Sequence, residues 1–357
     1  IIRLPGLSIP QLHLDEAEWM ITAITFIENP LSWVETHLTN TRPLTVLPLV
    51  TIGVIGLPID YGTTRLVGIL MNCALVYFIY KTLHNYFEDK LSIVLCIPVI
   101  SMLSLFTLWD YIAYNSEVPC ILAITISIYI LTKHLLTDKQ VLITGIILGS
   151  IAHIKEQAVP TAVVLFILFL IRIKENKSYL KSYFVGIILP NLIYFGSILY
   201  NDDLNGFELR LNMMLSYSQH GLTEGINDSD LINKLIEVVK SIYSVIDTKA
   251  YFYMWTSVAI ILIFLNYKKN LFKFKDQITL FIVLLIILYT IYKPNETYPH
   301  YILFIISPLF ILMSYNLGIF LNNLKSNKYK KKLIYIHLLM CSIVPSIWLL
   351  KIGKHRI

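Results

Sequence analysis

The sequence predicts an all-α polytopic membrane protein, built as a bundle of transmembrane helices. Hydrophobic residues make up 56% of the 357 residues, charged residues make up only 15%, and the mean hydropathy is +0.67. Apolar stretches recur along the chain, and about 20 such residues cross the ~30 Å hydrocarbon core of a bilayer as a helix. A soluble domain of this length would carry more charge, so composition excludes a soluble fold.

Ten apolar segments are long enough to be predicted spans. Six fall within residues 62–200 and four within residues 250–357, with a polar segment at 201–249 between them. The predicted spans are residues 62–82, 91–109, 116–132, 140–154, 158–173, 180–200, 250–267, 277–292, 300–321 and 333–350.

The apolar run from Pro43 to Pro58 is treated differently, because it is barely long enough to cross. It also contains Pro48, Gly53 and Gly56, residues that weaken a helix interior. We therefore predict that this run is interfacial or re-entrant, and that residues 1–61 form a first loop with juxtamembrane helices.

The distribution of Lys and Arg predicts the orientation. Seventeen basic residues lie in five alternate turns: 81–90, 133–139, 172–181, 268–276 and 325–332. The short turns on the other side, 110–115, 155–157 and 293–299, hold two. Because cytoplasmic turns collect basic residues, residues 1–61 and 201–249 are predicted to be external. An external first loop needs a preceding crossing, so we expect a further helix ahead of Ile1.

The polar segment 201–249 contains a second predicted surface helix. An apolar stripe at helical spacing follows Asp228 and Ser229, which are residue types that cap helix N-termini. Such a stripe is typical of an amphipathic helix lying on a membrane. Its members are Leu231, Leu235, Val238, Val239, Ile242 and Ile246.

Several function classes are excluded by the same residues. The net charge of +6 comes from cations in the turns between spans, so nucleic acid is not an expected partner. The four cysteines lack C-x-x-C spacing, which argues against a zinc site. No Gly-rich phosphate loop is present to bind a sugar nucleotide.

An acidic cluster, Asp15, Glu16 and Glu18, precedes the first span and adjoins Trp19. If residues 14–20 are helical, Asp15, Glu18 and Trp19 share one face, with Glu16 about 100° round the helix. Carboxylates beside a bilayer could accept a proton from a polar substrate delivered on a lipid. The alternative is a solvated helix start favoured by the helix dipole.

Polar motifs follow one another along the chain in a characteristic order. They are Asp15-Glu16, Thr41-Arg42-Pro43-Leu44, Gly62-Thr63-Thr64-Arg65-Leu66, Tyr114-Asn115-Ser116-Glu117-Val118-Pro119, Gly149-Ser150-Ile151-Ala152-His153-Ile154-Lys155, and Tyr298-Pro299-His300-Tyr301 with Pro308. Their order resembles the protein O-mannosyltransferase family, glycosyltransferase family 39, within the GT-C superfamily. The segment 201–249 is too short for the large lumenal domain of eukaryotic members, so the chain looks closer to bacterial members.

The resemblance implies a GT-C type helix bundle and a specific reaction. A sugar would pass from a polyprenyl-phosphate donor to a hydroxyl or amino group of a lipid, glycan or protein acceptor, with inversion. The site would face the periplasm or exterior of a bacterial inner membrane. By position in the motif, Asp15 is the expected base, and Glu16 orients the acceptor or tunes the acidity of Asp15.

The donor phosphate requires cations near the membrane surface. Lys155, Arg65, Arg42 and Lys293 are the candidates, and Lys155 is favoured. The alternatives are that Lys155 snorkels or pairs with its neighbour Glu156, and that Arg65 pairs with Asp60 or an upstream carboxylate.

Five further residues are candidates for the substrate pocket: Glu117, Asp110, Tyr298, His300 and Tyr301. The acids could instead serve as charges at a helix start, and the aromatic residues as a membrane-interface belt. A divalent metal is left open as a cofactor, since no grouping has convincing ligand spacing. The rival functions are a polysaccharide polymerase or O-antigen ligase, and a polytopic transporter.

Overall fold

The computed structural model describes residues 7, 14–31, 42–105, 113–201, 204–209, 212, 249–268, 274–292, 301, 303–324 and 326–355. Within these residues the regular structure is helical and contains no β-strand. The predicted all-α membrane class is therefore confirmed. The predicted surface helix at 231–246 lies outside the described residues.

The described residues form twelve main α-helices and a short 3₁₀ turn, Glu156–Ala158. Each of the ten apolar segments overlaps one of α3 to α12. The helices are α1 (Leu14–Glu28), α2 (Pro43–Val54), α3 (Tyr61–His84), α4 (Asp89–Leu105), α5 (Glu117–Thr132), α6 (Asp138–Ile154), α7 (Val159–Ile173), α8 (Lys177–Tyr200), α9 (Lys249–Lys268), α10 (Phe274–Tyr292), α11 (Leu303–Asn322) and α12 (Asn327–His355).

Four helical segments in the described part of the chain are long and apolar enough to cross a membrane. They are α3, α8, α11 and the segment Glu156–Ile173, which combines the 3₁₀ turn with α7. The total of ten crossings stays a prediction. Helix α2 has 12 residues, or about 18 Å, which is shorter than the ~30 Å core. Its interfacial placement also stays a prediction.

Local sequence signals explain where several helices begin and end. The Asp60 side chain caps α3 by accepting a hydrogen bond from the Thr63 amide at 2.8 Å. Thr137 and Gln140 form a reciprocal capping box at the start of α6. After α2, Gly56 adopts φ of 86°, a left-handed conformation that glycine adopts at low cost.

Helix α11 forms the centre of the bundle. Nearly all of its side chains are buried, and it packs on α3, α4, α5, α9, α10 and α12. Hydroxyl groups connect it to two neighbours: Thr125 donates to Ser307 Oγ at 2.7 Å, and Ser314 donates to the Leu95 carbonyl at 2.8 Å. Such bonds satisfy polar groups where water is absent.

Three glycines allow α6 and α8 to approach closely. Gly145 on α6 faces Gly186 on α8, and Gly149, one turn further along α6, faces Ile187 and Pro190 of α8. A Cβ atom on Gly186 would lie 2.4 Å from the Leu142 carbonyl oxygen, and one on Gly145 would lie 2.4 Å from the Tyr183 carbonyl oxygen. Small residues at this spacing permit tight helix contacts in membranes. The contact fixes α6, whose last residue precedes Lys155.

One end of the bundle holds the Lys-rich turns. Asn85, after α3, donates to Thr132 Oγ1 at 3.0 Å near the end of α5. Ser178 on α8 donates to Asp138 Oδ1 at 2.7 Å at the start of α6. The basic turns at 81–90, 133–139 and 172–181 therefore lie together. Phe87, in the first of these turns, contacts Gly318 near the end of α11, which brings the turn at 325–332 to the same end. Helices α3, α5 and α11 begin at the opposite end, where α6 terminates.

Candidate active site

The first turn of α1 places the acidic cluster at this opposite end. Glu16, Trp19 and Ala23 are buried and follow the spacing of one helix face, whereas Asp15 and Glu18 are half-buried. Trp19 therefore points inward with Glu16. The helical spacing in the sequence had instead placed Trp19 on one helix face with Asp15 and Glu18. A partner 49 residues further along the chain determines the inward orientation.

That partner is Arg65, which binds Glu16 with both arms of its guanidinium group. Arg65 Nε donates to Glu16 Oε1 and Arg65 Nη2 donates to Glu16 Oε2, each at 2.7 Å. Both side chains are fully buried. Of the two alternatives for Arg65, the upstream carboxylate is the one observed, while Asp60 caps α3. The pair fastens α1 to α3.

Lys155 lies at the C-terminal cap of α6, where the chain becomes extended. Its Nζ lies 2.7 Å from Glu117 Oε1 and donates to Ser116 Oγ at 2.8 Å. It also lies 5.5 Å from the centre of the Tyr301 ring, and Gln157 donates to the Tyr301 hydroxyl at 2.9 Å. Glu117 is fully buried, and the Lys155 side chain is 15% exposed. A cation is thus held at the edge of the bundle.

Glu156, the sequence neighbour of Lys155, pairs with a different residue. Its carboxylate binds Arg42 Nη2 just ahead of α2, and Arg42 is buried. The expected alternative of a Lys155 pair with Glu156 is thus not what the structure shows. Adjacent residues rarely face each other, whereas Glu117 starts a neighbouring helix and reaches Lys155 directly.

A chain of hydrogen bonds and ring contacts joins the two parts of this end. Thr45 Oγ1 donates to the Ile154 carbonyl at 2.5 Å, and the Tyr114 hydroxyl donates to the Thr45 carbonyl at 2.6 Å. Burial raises the pKa of Tyr114, so its hydroxyl stays protonated and can donate. The Tyr114 ring meets Trp19 edge to face at 5.9 Å. Lys155 and the acidic cluster therefore belong to one connected region.

The structure brings seven of the predicted site residues to the same end of the bundle. Four others, Asp110, Lys293, Tyr298 and His300, lie outside the described residues. The seven are Asp15, Glu16, Arg42, Arg65, Glu117, Lys155 and Tyr301. Within the described residues, no group of three or more His, Cys, Asp or Glu side chains could hold a metal ion.

Four residues that support the site had no predicted role: Thr45, Tyr114, Ser116 and Gln157. Tyr114 and Ser116 stand inside a motif that was recognised, beside Glu117, but no role was predicted for them. Gln157 follows Lys155 in a short polar turn, which was the available signal. Thr45 lies in an apolar run and carried no signal.

The fold and this region define an all-helical membrane protein with buried acid–base pairs at one end of its bundle. Residues 62–195, from α3 into α8, match the family model described as dolichyl-phosphate-mannose-protein mannosyltransferase. The predicted resemblance to the protein mannosyltransferases is thereby confirmed, and the match supports a membrane glycosyltransferase.

The matched residues include Arg65, Glu117 and Lys155 but end before Tyr301 and begin after Asp15 and Glu16. They amount to a little over a third of the chain. No curated protein and no solved structure gave a significant match to the chain.

Proposed function

We propose that this membrane glycosyltransferase transfers a sugar from a polyprenyl-phosphate donor to a hydroxyl or amino group on a lipid, glycan or protein acceptor. One observation carries the proposal. A half-buried carboxylate, Asp15, and a partly exposed ammonium group, Lys155, lie in one connected region at the end of an apolar bundle. A lipid tail can stay in the bilayer while its phosphate reaches this end.

Asp15 is assigned the role of base. Both oxygens of Glu16 are bound by Arg65, and Glu16 is fully buried, so it is poorly placed to take a proton from an acceptor. Asp15 adjoins it in the first turn of α1 and retains exposure. A carboxylate that takes the proton as the acceptor attacks the anomeric carbon fits a single displacement with inversion. Glu16 then acts by holding α1 in place.

Lys155 is assigned the role of binding the donor phosphate. An ammonium group has three N–H donors. Glu117 and Ser116 engage two of these groups, and the Lys155 nitrogen lies 5.5 Å from the centre of the Tyr301 ring, so the third N–H group is proposed to meet the phosphate. We infer that the phosphate reaches Lys155 from the Tyr301 side, while Glu117 and Ser116 hold the ammonium group in position. A fixed cation at the leaving phosphate stabilises the charge that develops there.

The other candidate cations receive different assignments. Arg65 is fully buried against Glu16, and Arg42 is buried against Glu156, so both are proposed to hold helices together. Lys293 remains a predicted phosphate ligand. Glu117, Asp110, Tyr298, His300 and Tyr301 remain the predicted pocket.

The proposed location follows from the two ends of the bundle. The described Lys-rich turns lie at the end opposite Lys155 and Glu16. If those turns are cytoplasmic, as the positive-inside rule expects, the site faces outward. We propose the inner membrane of a bacterium, with the site on the periplasmic or outer side.

The test compares lipid-linked sugars and surface glycans by mass spectrometry in cells with the protein, without it, and with Lys155→Met. In cells without the protein and in cells with Lys155→Met, we expect the donor lipid to accumulate and one glycan modification to be lost. Unchanged lipids and glycans in the cells without the protein would refute the proposal.

The lipid product separates the rival classes. Transfer from a polyprenyl-phosphate sugar releases a polyprenyl monophosphate. A ligase or polymerase that uses a pyrophosphate-linked donor releases the pyrophosphate instead, and a transporter leaves the sugar–phosphate bond intact. Recovery of the monophosphate with the glycosylated acceptor is the expected result.

A further inference from the structure

The first three turns of α12 carry a groove at the Lys-rich end of the bundle. Its volume is about 490 Å³, and it lies open along one stripe of the helix. The lining residues are Lys328, Lys331, Lys332, Tyr335, Ile336 and Leu339. Their spacing of three and four residues places them on a single face.

This face points away from the bundle. The opposite side of α12 packs on α4, where His337 Nε2 lies 3.2 Å from the Val94 carbonyl and the Cys341 carbonyl accepts from Ser101 at 3.1 Å. His337 and Cys341 are buried, whereas Tyr335 is 71% exposed. The groove is therefore open to whatever surrounds the protein at this end.

The chemistry of the groove changes along its length. Three exposed lysines line its first part, and the first turn of α12 contains no acidic residue. No salt bridge within the described part of the chain involves these lysines. Tyr335 follows, and then Ile336 and Leu339, which are 42% and 56% exposed. This order follows the parts of a membrane lipid. The lysines suit an anionic head group, the tyrosine suits the membrane interface, and the aliphatic residues suit acyl chains.

We propose that this groove binds an anionic phospholipid of the bilayer. The phosphate lies among Lys328, Lys331 and Lys332, and the acyl chains lie along Ile336 and Leu339. The apolar part favours a membrane lipid over a soluble phosphate, because it adds contacts that only acyl chains make. This proposal does not depend on sugar transfer.

The experiment measures lipid retention by the purified full chain in detergent, using native mass spectrometry with phosphatidylglycerol and with phosphatidylcholine. The test variant is Lys328→Gln/Lys331→Gln/Lys332→Gln. The matched control, Lys174→Gln/Lys177→Gln/Lys181→Gln, removes three exposed lysines from the same end of the bundle but outside the groove. All six residues are exposed, so both variants should fold, and their thermal midpoints verify this.

We expect the wild-type chain to retain phosphatidylglycerol in preference to phosphatidylcholine. Removing three lysines near an anionic lipid should weaken retention on the order of 100-fold. The control variant should stay within about threefold of wild type, and Leu339→Ser should weaken retention with all lysines in place. Equal loss in both triple variants, the absence of a preference for phosphatidylglycerol, or equally strong competition by glycerol 3-phosphate would overturn the proposal.

Discussion

The buried Glu16–Arg65 pair supplies the sharpest test of how α1 is held. Both side chains are fully buried and share two hydrogen bonds of 2.7 Å. Removing one partner leaves the other as an uncompensated buried charge, which costs about 3–5 kcal/mol. Glu16→Leu and Arg65→Met should each destabilise the protein by about this amount.

The double variant should behave differently from the sum of the two. Replacing both members of a buried ion pair by apolar residues of similar volume removes both desolvation penalties, and such replacements are often neutral or stabilising. Glu16→Leu/Arg65→Met is therefore expected within about 1 kcal/mol of wild type. The resulting double-mutant cycle would give a large coupling free energy between the two positions.

Equilibrium unfolding in detergent micelles gives the unfolding free energy of the wild type, the two single variants and the double variant. The matched control is Glu28→Gln, an exposed acid at the end of α1, which should change the unfolding free energy by less than about 0.5 kcal/mol. Single variants that lose under 1 kcal/mol, or a double variant that loses the sum of the singles, would refute the claim that this pair fastens α1 to α3.

Three further outcomes are expected. Gly186→Ala places a Cβ 2.4 Å from the Leu142 carbonyl oxygen and should destabilise the α6–α8 contact by about 1–3 kcal/mol in the same unfolding assay. Gly196→Ala, on the same helix with nothing within 4 Å, is its control, and equal losses would contradict the close approach. Tyr114→Phe removes the donor to the buried Thr45 carbonyl and should cost about 1–3 kcal/mol; no loss would mean that this bond contributes nothing. Lys155→Met should raise the KM for the donor and lower kcat, and both changes should be larger than those in Lys155→Arg, which keeps the positive charge. Equal transfer by both variants would argue against a phosphate contact.

Much of the helical architecture could be predicted from the sequence because it depends on local features. The apolar runs fix where α3 to α12 lie, since a bilayer demands about 20 such residues per crossing. The predicted span at 62–82 corresponds to α3 at Tyr61–His84, and the one at 140–154 to α6 at Asp138–Ile154. Residues that cap helices, such as Asp60 and Thr137, define the starts.

The close contact of α6 with α8 was not predicted, because it depends on two surfaces that must match. Gly145 and Gly149 are separated from Gly186 by more than a helix and its turn. A sequence shows that each is small, but only the structure shows that their backbones meet.

The candidate site residues were chosen from sequence motifs, and their roles stay predictions. Asp15, Glu16 and Glu117 were chosen by their place in motifs that resemble the protein O-mannosyltransferases, and Arg65 and Lys155 as cations for a donor phosphate. Which carboxylate faces which cation depends on the fold. Thus Glu16 meets Arg65 and Glu117 meets Lys155 across long sequence separations.

These pairings change what each cation is proposed to do. Three of the predicted phosphate ligands, Arg42, Arg65 and Lys155, each hold a carboxylate in the structure. Burial then distinguishes them, since Lys155 retains more exposure than either arginine. Lys155 is therefore the cation proposed to bind the donor phosphate, and this choice rests on side-chain burial that could not be predicted from the sequence.

Asp15 is proposed as the base for sugar transfer, and a comparison of kcat values between variants tests this role. The full chain is reconstituted in vesicles with polyprenyl-phosphate sugar, and transfer to the acceptor is measured for wild type, Asp15→Asn and Glu18→Gln. Asp15→Asn should lower kcat by about 10²–10⁴-fold, as expected for the loss of a general base, while Glu18→Gln stays near wild type. Wild-type transfer by Asp15→Asn would show that Asp15 is not the base.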